Sequence, residues 1–332
     1  MVKKVVTFGE VMLRLSTPGL QRFTQTVSLD VTYAGAEANV AVALRNFGIP
    51  ATHVTAFPNN DLGVAAAQTL AQFGVDTSKI VFSDHRMGVY FLENGAVQRA
   101  PKIIYDRFDS AFAHVTKDQF DWKEILKDAS WFHYTGITPA ISQGAADACL
   151  EAVRVAASSG VAVSGDINYR RNLWQYGKTA RDVMPALMEK TNLMIAGETD
   201  LENCAGLTGK NWEDASRKMM DQYKSVQRIV RTNRGSISAS HNTISAVSIS
   251  RTEVLKSKEY DITHIVDRVG TGDAFVAGLI YGDVNKMSHG DALEFATASC
   301  VWKHSVPGDH NLASAEEIYT LVKGENVGKL LR

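Results

Sequence analysis

Excess charge of either sign is missing from this 332-residue chain, in which 35 lysines and arginines balance 36 aspartates and glutamates to a formal charge of −1. No run of basic residues occurs either, so neither nucleic acid nor an anionic membrane is an expected partner. Apolar stretches long enough to span a bilayer are also absent from the sequence. Glu10 and Arg14 interrupt the apolar residues that a secretion signal would need. We therefore expect a cytoplasmic protein.

Cysteine is scarce as well. The three cysteines, Cys149, Cys204 and Cys300, lie far apart in the sequence. No two of them have the close spacing of a zinc site, and their odd number argues against a disulfide framework. Each is expected to be a small buried side chain in a reducing compartment.

Short apolar runs alternate with amphipathic segments along most of the chain. The pattern predicts strands at 5–8, 53–57, 161–164, 193–196 and 229–232, and helices at 37–47, 142–158, 273–281, 289–304 and 315–322. Such alternation predicts a mostly parallel sheet with helices on both faces. The length corresponds to about two domains, or to one large α/β domain with an appendage.

Residues 86–112 have a different pattern. Two short strands, at 87–92 and 96–104, flank Asn94-Gly95, a dipeptide typical of tight hairpin turns. Together with residues 11–34, these strands are predicted to form a small antiparallel sheet inserted into the α/β core. The predicted core comprises residues 1–10, 35–85 and 113–332.

The segment Asp267–Gly278 carries the strongest chemical signal. Two glycines allow a sharp turn before a helix, so the amides of Gly270, Thr271 and Gly272 are expected to point to one spot. That arrangement favours binding of a phosphate. Asp273 lies among the same donors, which should keep it ionised and able to accept a proton. A carboxylate base beside an anion hole is what phosphate transfer to a hydroxyl requires.

A simpler interpretation is a glycine turn whose aspartate only caps a helix, since capping aspartates are common. The matching string is longer than four residues, however, and small residues continue into the helix that follows. Both features favour the catalytic interpretation.

Two stretches of the sequence resemble a known family. Residues 270–275 are similar to the C-terminal signature of the PfkB, or ribokinase-like, carbohydrate kinases, and residues 34–41 are similar to its N-terminal signature. The resemblance implies a ribokinase-like α/β fold, a three-layer αβα sandwich with a mostly parallel central sheet. It also implies that the inserted sheet, residues 11–34 and 86–112, is a lid over the sugar. The implied cofactors are ATP and Mg²⁺, and a monovalent cation stays open.

Within that family, the chain resembles the kinases of 2-keto-3-deoxygluconate at residues 88–90, 105–107, 166–170 and 303–309. The resemblance implies sugar contacts from Gly35, Asn39, Tyr90, Tyr105, Arg107, Arg170 and Asp309. It implies nucleotide contacts from Asn168, Arg170, Thr232, Gly235, Gly270 and Gly272.

A sugar acid carries a carboxylate, and a guanidinium is the preferred partner for that group. Arg107 and Arg170 are the candidates for this contact. Each has an alternative interpretation as a solvated surface arginine or a member of an ion pair. Tyr90 and Tyr105 have one as well, because aromatic residues pack across neighbouring strands.

The chain departs from the family's pattern in three places. Gly197–Asp200 stands where the family has Asn-x-x-Glu, a motif tied to magnesium, and the shorter Asp200 replaces the glutamate. Residues 231–235 replace a Lys-x-Gly-x-x-Gly stretch near the nucleotide. Met12-Leu13-Arg14 stands where many sugar kinases have a hydroxyl-binding aspartate, which argues against ribose or fructose as substrate.

The sequence therefore predicts an ATP-dependent kinase that phosphorylates the terminal hydroxyl of a sugar acid, 2-keto-3-deoxygluconate above others. A kinase for fructose or another hexose or pentose is one alternative, and a sugar-binding regulator without catalysis is a second. Sheets such as the predicted lid have unpaired edges, so a homo-oligomer formed through the lid is expected.

Overall fold

A large sheet forms the centre of the structure, a computed structural model that describes residues 3–325. The strands are β1 (Lys4–Phe8), β2 (Met12–Ser16), β3 (Asp30–Ala34), β4 (Ala51–Val54), β5 (Ala56–Pro58), β6 (Val81–Ser83), β7 (Val89–Glu93), β8 (Lys102–Asp106), β9 (Ala129–Thr135), β10 (Ala162–Asp166), β11 (Leu193–Ile195), β12 (Arg228–Ser236), β13 (Asn242–Ser250), β14 (Val254–Lys256) and β15 (Tyr260–Ile262). The helices are α1 (Ala36–Asn46), α2 (Asp61–Gln72), α3 (Trp122–Ile125), α4 (Thr138–Ile141), α5 (Gln143–Ser158), α6 (Ala180–Met188), α7 (Glu198–Ala205), α8 (Trp212–Gln222), α9 (Thr271–Val284), α10 (His289–Lys303) and α11 (Ala315–Lys323). Between residues 3 and 325, no helix is long and apolar enough to cross a membrane.

The large sheet has the strand order β14-β13-β12-β11-β10-β9-β1-β4, with β15 also paired to β13. The strands from β12 to β4 are parallel, and β13, β14 and β15 add antiparallel pairs at one side. The predicted mostly parallel sheet is confirmed. Because parallel strands end at the same edge, the residues that follow β1, β10 and β11 gather there.

Helices cover both faces of this sheet. Val5 and Val6 are neighbours in β1, and both are fully buried. Val5 packs in a cluster with residues of α1, α2, α9 and α10, whereas Val6 packs in a second cluster with residues of α5, α6, α7 and α8. Since neighbouring side chains of a strand point to opposite faces, the two clusters are two separate layers. The result is the predicted three-layer αβα sandwich.

A separate four-stranded sheet has the order β3-β2-β7-β8. Its outer pairs are antiparallel, but β2 and β7 in the middle are parallel, so the prediction of an antiparallel sheet is wrong. The chain order explains the difference. Both β2 and β7 leave the core in the same direction, and β3 and β8 bring the chain back.

The connection between β7 and β8 also differs from the prediction. No tight turn forms at Asn94-Gly95; instead, Ala96 and Arg99 pair around a turn in which Val97 has a φ of 52°. The second strand begins at Lys102, several residues later than predicted. Pro101 explains the delay, because proline has no N–H group to donate to the strand ladder.

Candidate active site

One cavity of about 710 Å³ lies between the carboxyl edge of the large sheet and the small sheet. Of the residues predicted to bind sugar, nucleotide or phosphate, the cavity wall includes Gly35, Asn39, Tyr90, Tyr105, Arg107, Asn168, Arg170, Thr232, Gly270, Thr271, Gly272, Asp273 and Asp309. Gly235, on β12, is not part of the wall. Residues distant in sequence are thus brought together around a space large enough for two small molecules.

Helix α9 begins at this cavity. Its N-cap, Gly270, has a φ of 80°, and no side chain in the described part of the chain caps the helix. A side chain at this position would overlap the carbonyl oxygen of Asp309, so both the conformation and the close approach require glycine. The amides of the first helical turn have no acceptor within the helix, and they favour an anion at this point.

Asp273 lies in that first turn, in the cavity wall, and is partly buried. Burial raises its pKa to about 7; a hydrogen bond from Asn39 Nδ2 at 2.6 Å opposes the shift, and the carboxylates of Asp309 and Glu37 add to it. The expectation that the helix amides keep Asp273 ionised is therefore met only above that pH. Burial outweighs the helix N-terminus, and the group is poised to gain or lose a proton near neutrality.

The two candidate arginines have different surroundings. Arg107 is buried and forms a two-pronged ion pair with Glu10, whose Oε2 lies 2.8 Å from Nε. Its charge is therefore already compensated within the protein. Arg170 is exposed at the cavity wall and has no ion pair with any residue between 3 and 325. Arg170 is thus the more available partner for an anionic ligand.

Tyr90 and Asp309 belong to a buried network that the sequence analysis missed. The Tyr90 hydroxyl donates to one oxygen of Asp309, and the Arg14 guanidinium donates to the other. The sequence pattern gives Arg14 no role beyond its place in the Met12-Leu13-Arg14 segment. A usable signal was present, because Arg14 occupies a position on the buried face of an alternating strand, where a charge needs a partner.

The two tyrosines face each other across β7 and β8, with ring centroids 6.0 Å apart, so the cross-strand packing considered above does occur. Tyr105 nevertheless remains 49% exposed, whereas Tyr90 is buried. Tyr105 can therefore contact a ligand directly, and Tyr90 is held by Asp309.

Two carboxylates lie near the cavity: Asp166 is the last residue of β10, and Asp200 lies in the first turn of α7. Burial raises the pKa of Asp166 well above its usual range, and the charges of Asp200 and Asp273 raise it further. Asp200 accepts the backbone N–H groups of Gly197 at 2.7 Å and Tyr169 at 3.0 Å, so its position is fixed. Residues 3–325 contain no group of three or more His, Cys, Asp or Glu arranged to hold a metal. The carboxylates of Asp166 and Asp200 are oxygen donors, the kind of ligand that Mg²⁺ takes in small number beside phosphates and water.

Comparison with solved structures defines the fold class. A structure described as 2-dehydro-3-deoxygluconokinase from Thermotoga maritima has a TM-score of 0.92 and 43% identity, and the match covers 97% of this chain and 100% of that one. A putative ribokinase II from E. coli has a TM-score of 0.82 at 21% identity, with coverage of 97% and 100%. The fold is ribokinase-like, the architecture of kinases that act on small sugars.

Sequence comparison gives the family. A model described as pfkB family carbohydrate kinase matches residues 2–314. The chain is also 30% identical to 2-dehydro-3-deoxygalactonokinase of Haloferax volcanii, over 99% of both sequences. This chain belongs to the pfkB family of carbohydrate kinases. It is an ATP-dependent sugar kinase, as the signatures around Gly35 and Asp273 predicted.

The raised pKa of Asp273 has a consequence for stability. The unfolded carboxyl titrates near 3.8 and the folded one near 7, so between these values the folded state holds a proton that the unfolded state has lost. The unfolding free energy of the wild type should therefore fall relative to that of Asp273→Asn as the pH rises from about 4 to about 7, by at most ~4 kcal/mol. Urea unfolding at pH 5 and pH 8 measures this difference. Asp118→Asn, an exposed aspartate away from the cavity, is the control, and an equal difference for both variants would contradict the assignment.

Proposed function

We propose that the protein transfers the γ-phosphoryl group of ATP to the terminal primary hydroxyl of 2-keto-3-deoxygluconate, forming the 6-phosphate. The observation that carries the phosphoryl-transfer part is Asp273, with a pKa of about 7, in the uncapped first turn of α9. The exposed Arg170, which has no ion pair among residues 3–325, supports an acidic substrate. The names of the relatives from Thermotoga maritima and Haloferax volcanii support a 2-keto-3-deoxy sugar acid.

In this mechanism, Asp273 accepts the proton of the attacking hydroxyl while the new bond to phosphorus forms. The bond between the γ-phosphorus and its bridging oxygen breaks, and the electron pair leaves with ADP. The amides of Gly270, Thr271 and Gly272 stabilise the negative charge on the transferred group. Asp166 and Asp200 would hold Mg²⁺, which neutralises phosphate charge when it is bound. A monovalent cation stays a prediction from the family resemblance.

The proposed substrate contacts depend on which side chains already have a partner within the protein. Asn39 Oδ1 is buried and has no hydrogen-bond partner within residues 3–325, so a sugar hydroxyl would satisfy it. Arg170 would bind the carboxylate in preference to Arg107, whose charge Glu10 already compensates. Gly35 and Tyr105 would complete the sugar side of the cavity.

Arg107 and Asp309 would act mainly by shaping the site, since both are already engaged by other protein groups. The nucleotide contacts of Asn168, Thr232, Gly235, Gly270 and Gly272 stay a proposal; Asn168 is favoured by its left-handed backbone at the cavity wall, with a φ of 38°. Gly235 has the least support, because it does not line the cavity.

The small sheet, within residues 11–34 and 86–112, would serve as a lid that excludes water from the reaction. We further propose that a second copy of the chain covers its β8 edge. All five residues of this edge strand are exposed, including Ile103 at 43% and Ile104 at 56%. Apolar residues on an unpaired edge favour association with another chain.

The edge assignment predicts the effect of a charge at Ile104. Because a buried, unpaired carboxylate is unfavourable at an interface, Ile104→Asp should convert the oligomer to a monomer in light scattering at micromolar concentration. Val254→Asp, at the exposed edge strand β14 of the large sheet, is the control and should not change the oligomeric state. A wild-type monomer would contradict the proposal, and so would an Ile104→Asp variant that stays associated.

The assignment of the base predicts a kinetic effect of Asp273→Asn. Loss of general-base catalysis should lower kcat by about 10² to 10⁴-fold while KM for both substrates changes little. A coupled assay of ADP formation with 2-keto-3-deoxygluconate measures this. Retention of more than a few per cent of wild-type kcat would show that Asp273 is not the base.

The substrate assignment is tested with a panel that contains 2-keto-3-deoxygluconate, 2-keto-3-deoxygalactonate and fructose. Replacing Arg170 by Met should raise KM for the two acids by about tenfold or more and change that for fructose less. Arg171→Met is the matched control, because Arg171 is exposed and directly follows Arg170 but does not line the cavity. An equal loss for acids and fructose in Arg170→Met would contradict the carboxylate contact, and a wild type that prefers fructose would contradict the substrate.

A further inference from the structure

Arg14 connects the small sheet to the core through two buried ion pairs. Its side chain extends from β2 and is only 3% exposed. One guanidinium nitrogen, Nη2, lies 2.6 Å from Asp267 Oδ2, and the other, Nη1, donates to Asp309 Oδ1. The two carboxylates belong to different loops of the core, one before α9 and one after α10. A single side chain of the small sheet thus holds both loops.

Asp267 is itself a junction between these loops. Its carboxylate accepts the N–H of Val269 at 3.0 Å and the N–H of Gly308 at 3.1 Å. Val269 directly precedes Gly270, the residue that begins α9. The position of Asp267 therefore determines where the amides of the anion hole lie.

Asp309 links these two loops to the small sheet and to the start of α9. Its second oxygen accepts the hydroxyl of Tyr90 from β7, and its carbonyl oxygen lies against Gly270. Asp267, Asp309 and Tyr90 all line the cavity, whereas Arg14 does not. Arg14 can therefore act on bound substrates only through these neighbours.

The charges around Arg14 show why a cation is needed there. Asp267 and Asp309 are both buried, and Tyr90 is a neutral donor beside them. Within residues 3–325, Lys303 also faces the pair, but burial lowers its pKa, and its ammonium group donates to the carbonyl oxygen of Val306 at 3.2 Å. Without Arg14, two buried carboxylates would repel each other and draw apart.

We propose that Arg14 is a positioning residue for phosphoryl transfer, which holds Asp267 and Asp309 so that the anion hole at α9 and the small sheet keep one catalytic geometry. This inference rests on the proposed function, because the phosphorylation of the sugar acid is the reaction whose kcat is measured. It differs from the family resemblance, which gave Arg14 no role. Because the guanidinium is planar and bridges two carboxylates, lysine at this position would hold only one of them well.

The test compares Arg14→Ala and Arg14→Lys with a matched control. Arg228 is also buried, its Nη2 lies 2.6 Å from Asp283 Oδ2, and it does not line the cavity. Displacement of the anion hole should lower kcat of Arg14→Ala by about 10²-fold, and Arg14→Lys should lie between this variant and the wild type. Arg228→Ala and Arg228→Lys should keep wild-type kcat, since they remove an ion pair away from the cavity.

Guanidinium ion provides the readout that separates positioning from folding. At millimolar concentrations, below those that unfold the protein, guanidinium should restore kcat of Arg14→Ala by occupying the vacated space, and it should not stimulate the wild type or Arg228→Ala. Urea unfolding of each variant establishes that it is folded. If Arg14→Ala does not fold, Arg14→Lys, which keeps a cation, is the test instead. Its kcat should be lower than that of the wild type, whereas the kcat of Arg228→Lys should be unchanged.

Two results would overturn the inference: wild-type kcat in a folded Arg14→Ala or Arg14→Lys, or a loss in Arg14→Ala that guanidinium does not reverse. A change in KM alone would also overturn it, because a misplaced anion hole must lower kcat. The proposed function fails separately, if the wild type prefers another sugar in the substrate panel. In that case the Arg14 variants are measured with the preferred sugar.

Discussion

Buried carboxylates need compensation, and this requirement organises the carboxyl edge of the large sheet. Each of the acids there is satisfied differently. Glu10 is paired with Arg107, and Glu37 accepts hydrogen bonds from Thr135 and Thr138. Among residues 3–325, one side chain donates a hydrogen bond to Asp273, that of Asn39. Glu10 and Glu37 thus have protein partners, whereas Asp273, with a pKa of about 7, can gain or lose a proton near neutral pH.

The local part of this arrangement was predictable from the sequence. The glycine turn before α9 and the apolar run after it are contiguous, so the position of Asp273 at a helix start followed from local pattern alone. The βα alternation gave the parallel sheet for the same reason, since each unit is read from a short window. The family signatures at Gly35 and Gly270 then identified the class of chemistry.

The rest depends on contacts between distant segments. Arg14 lies 253 positions from Asp267 and 295 from Asp309, so no window of sequence contains the pair. The same holds for Arg107. The sequence alone does not distinguish Arg107 from Arg170, and the ion pair that separates them joins Arg107 to Glu10, 97 positions away. The ionisation of Asp273 was misjudged because burial, which dominates its pKa, is a property of the folded chain. The parallel pairing of β2 with β7 likewise depends on the direction in which two separate segments of the chain leave the core.

In the proposed mechanism, the pKa of about 7 for Asp273 also determines how the base returns to its starting state. An ordinary aspartate would hold a substrate proton weakly during the reaction, and a far more basic group would keep the proton afterwards. At a pKa near neutrality, uptake and release are almost balanced in free energy. As the proposed base, the side chain would pass each proton to the solvent once product departs and would then be ready for the next turnover.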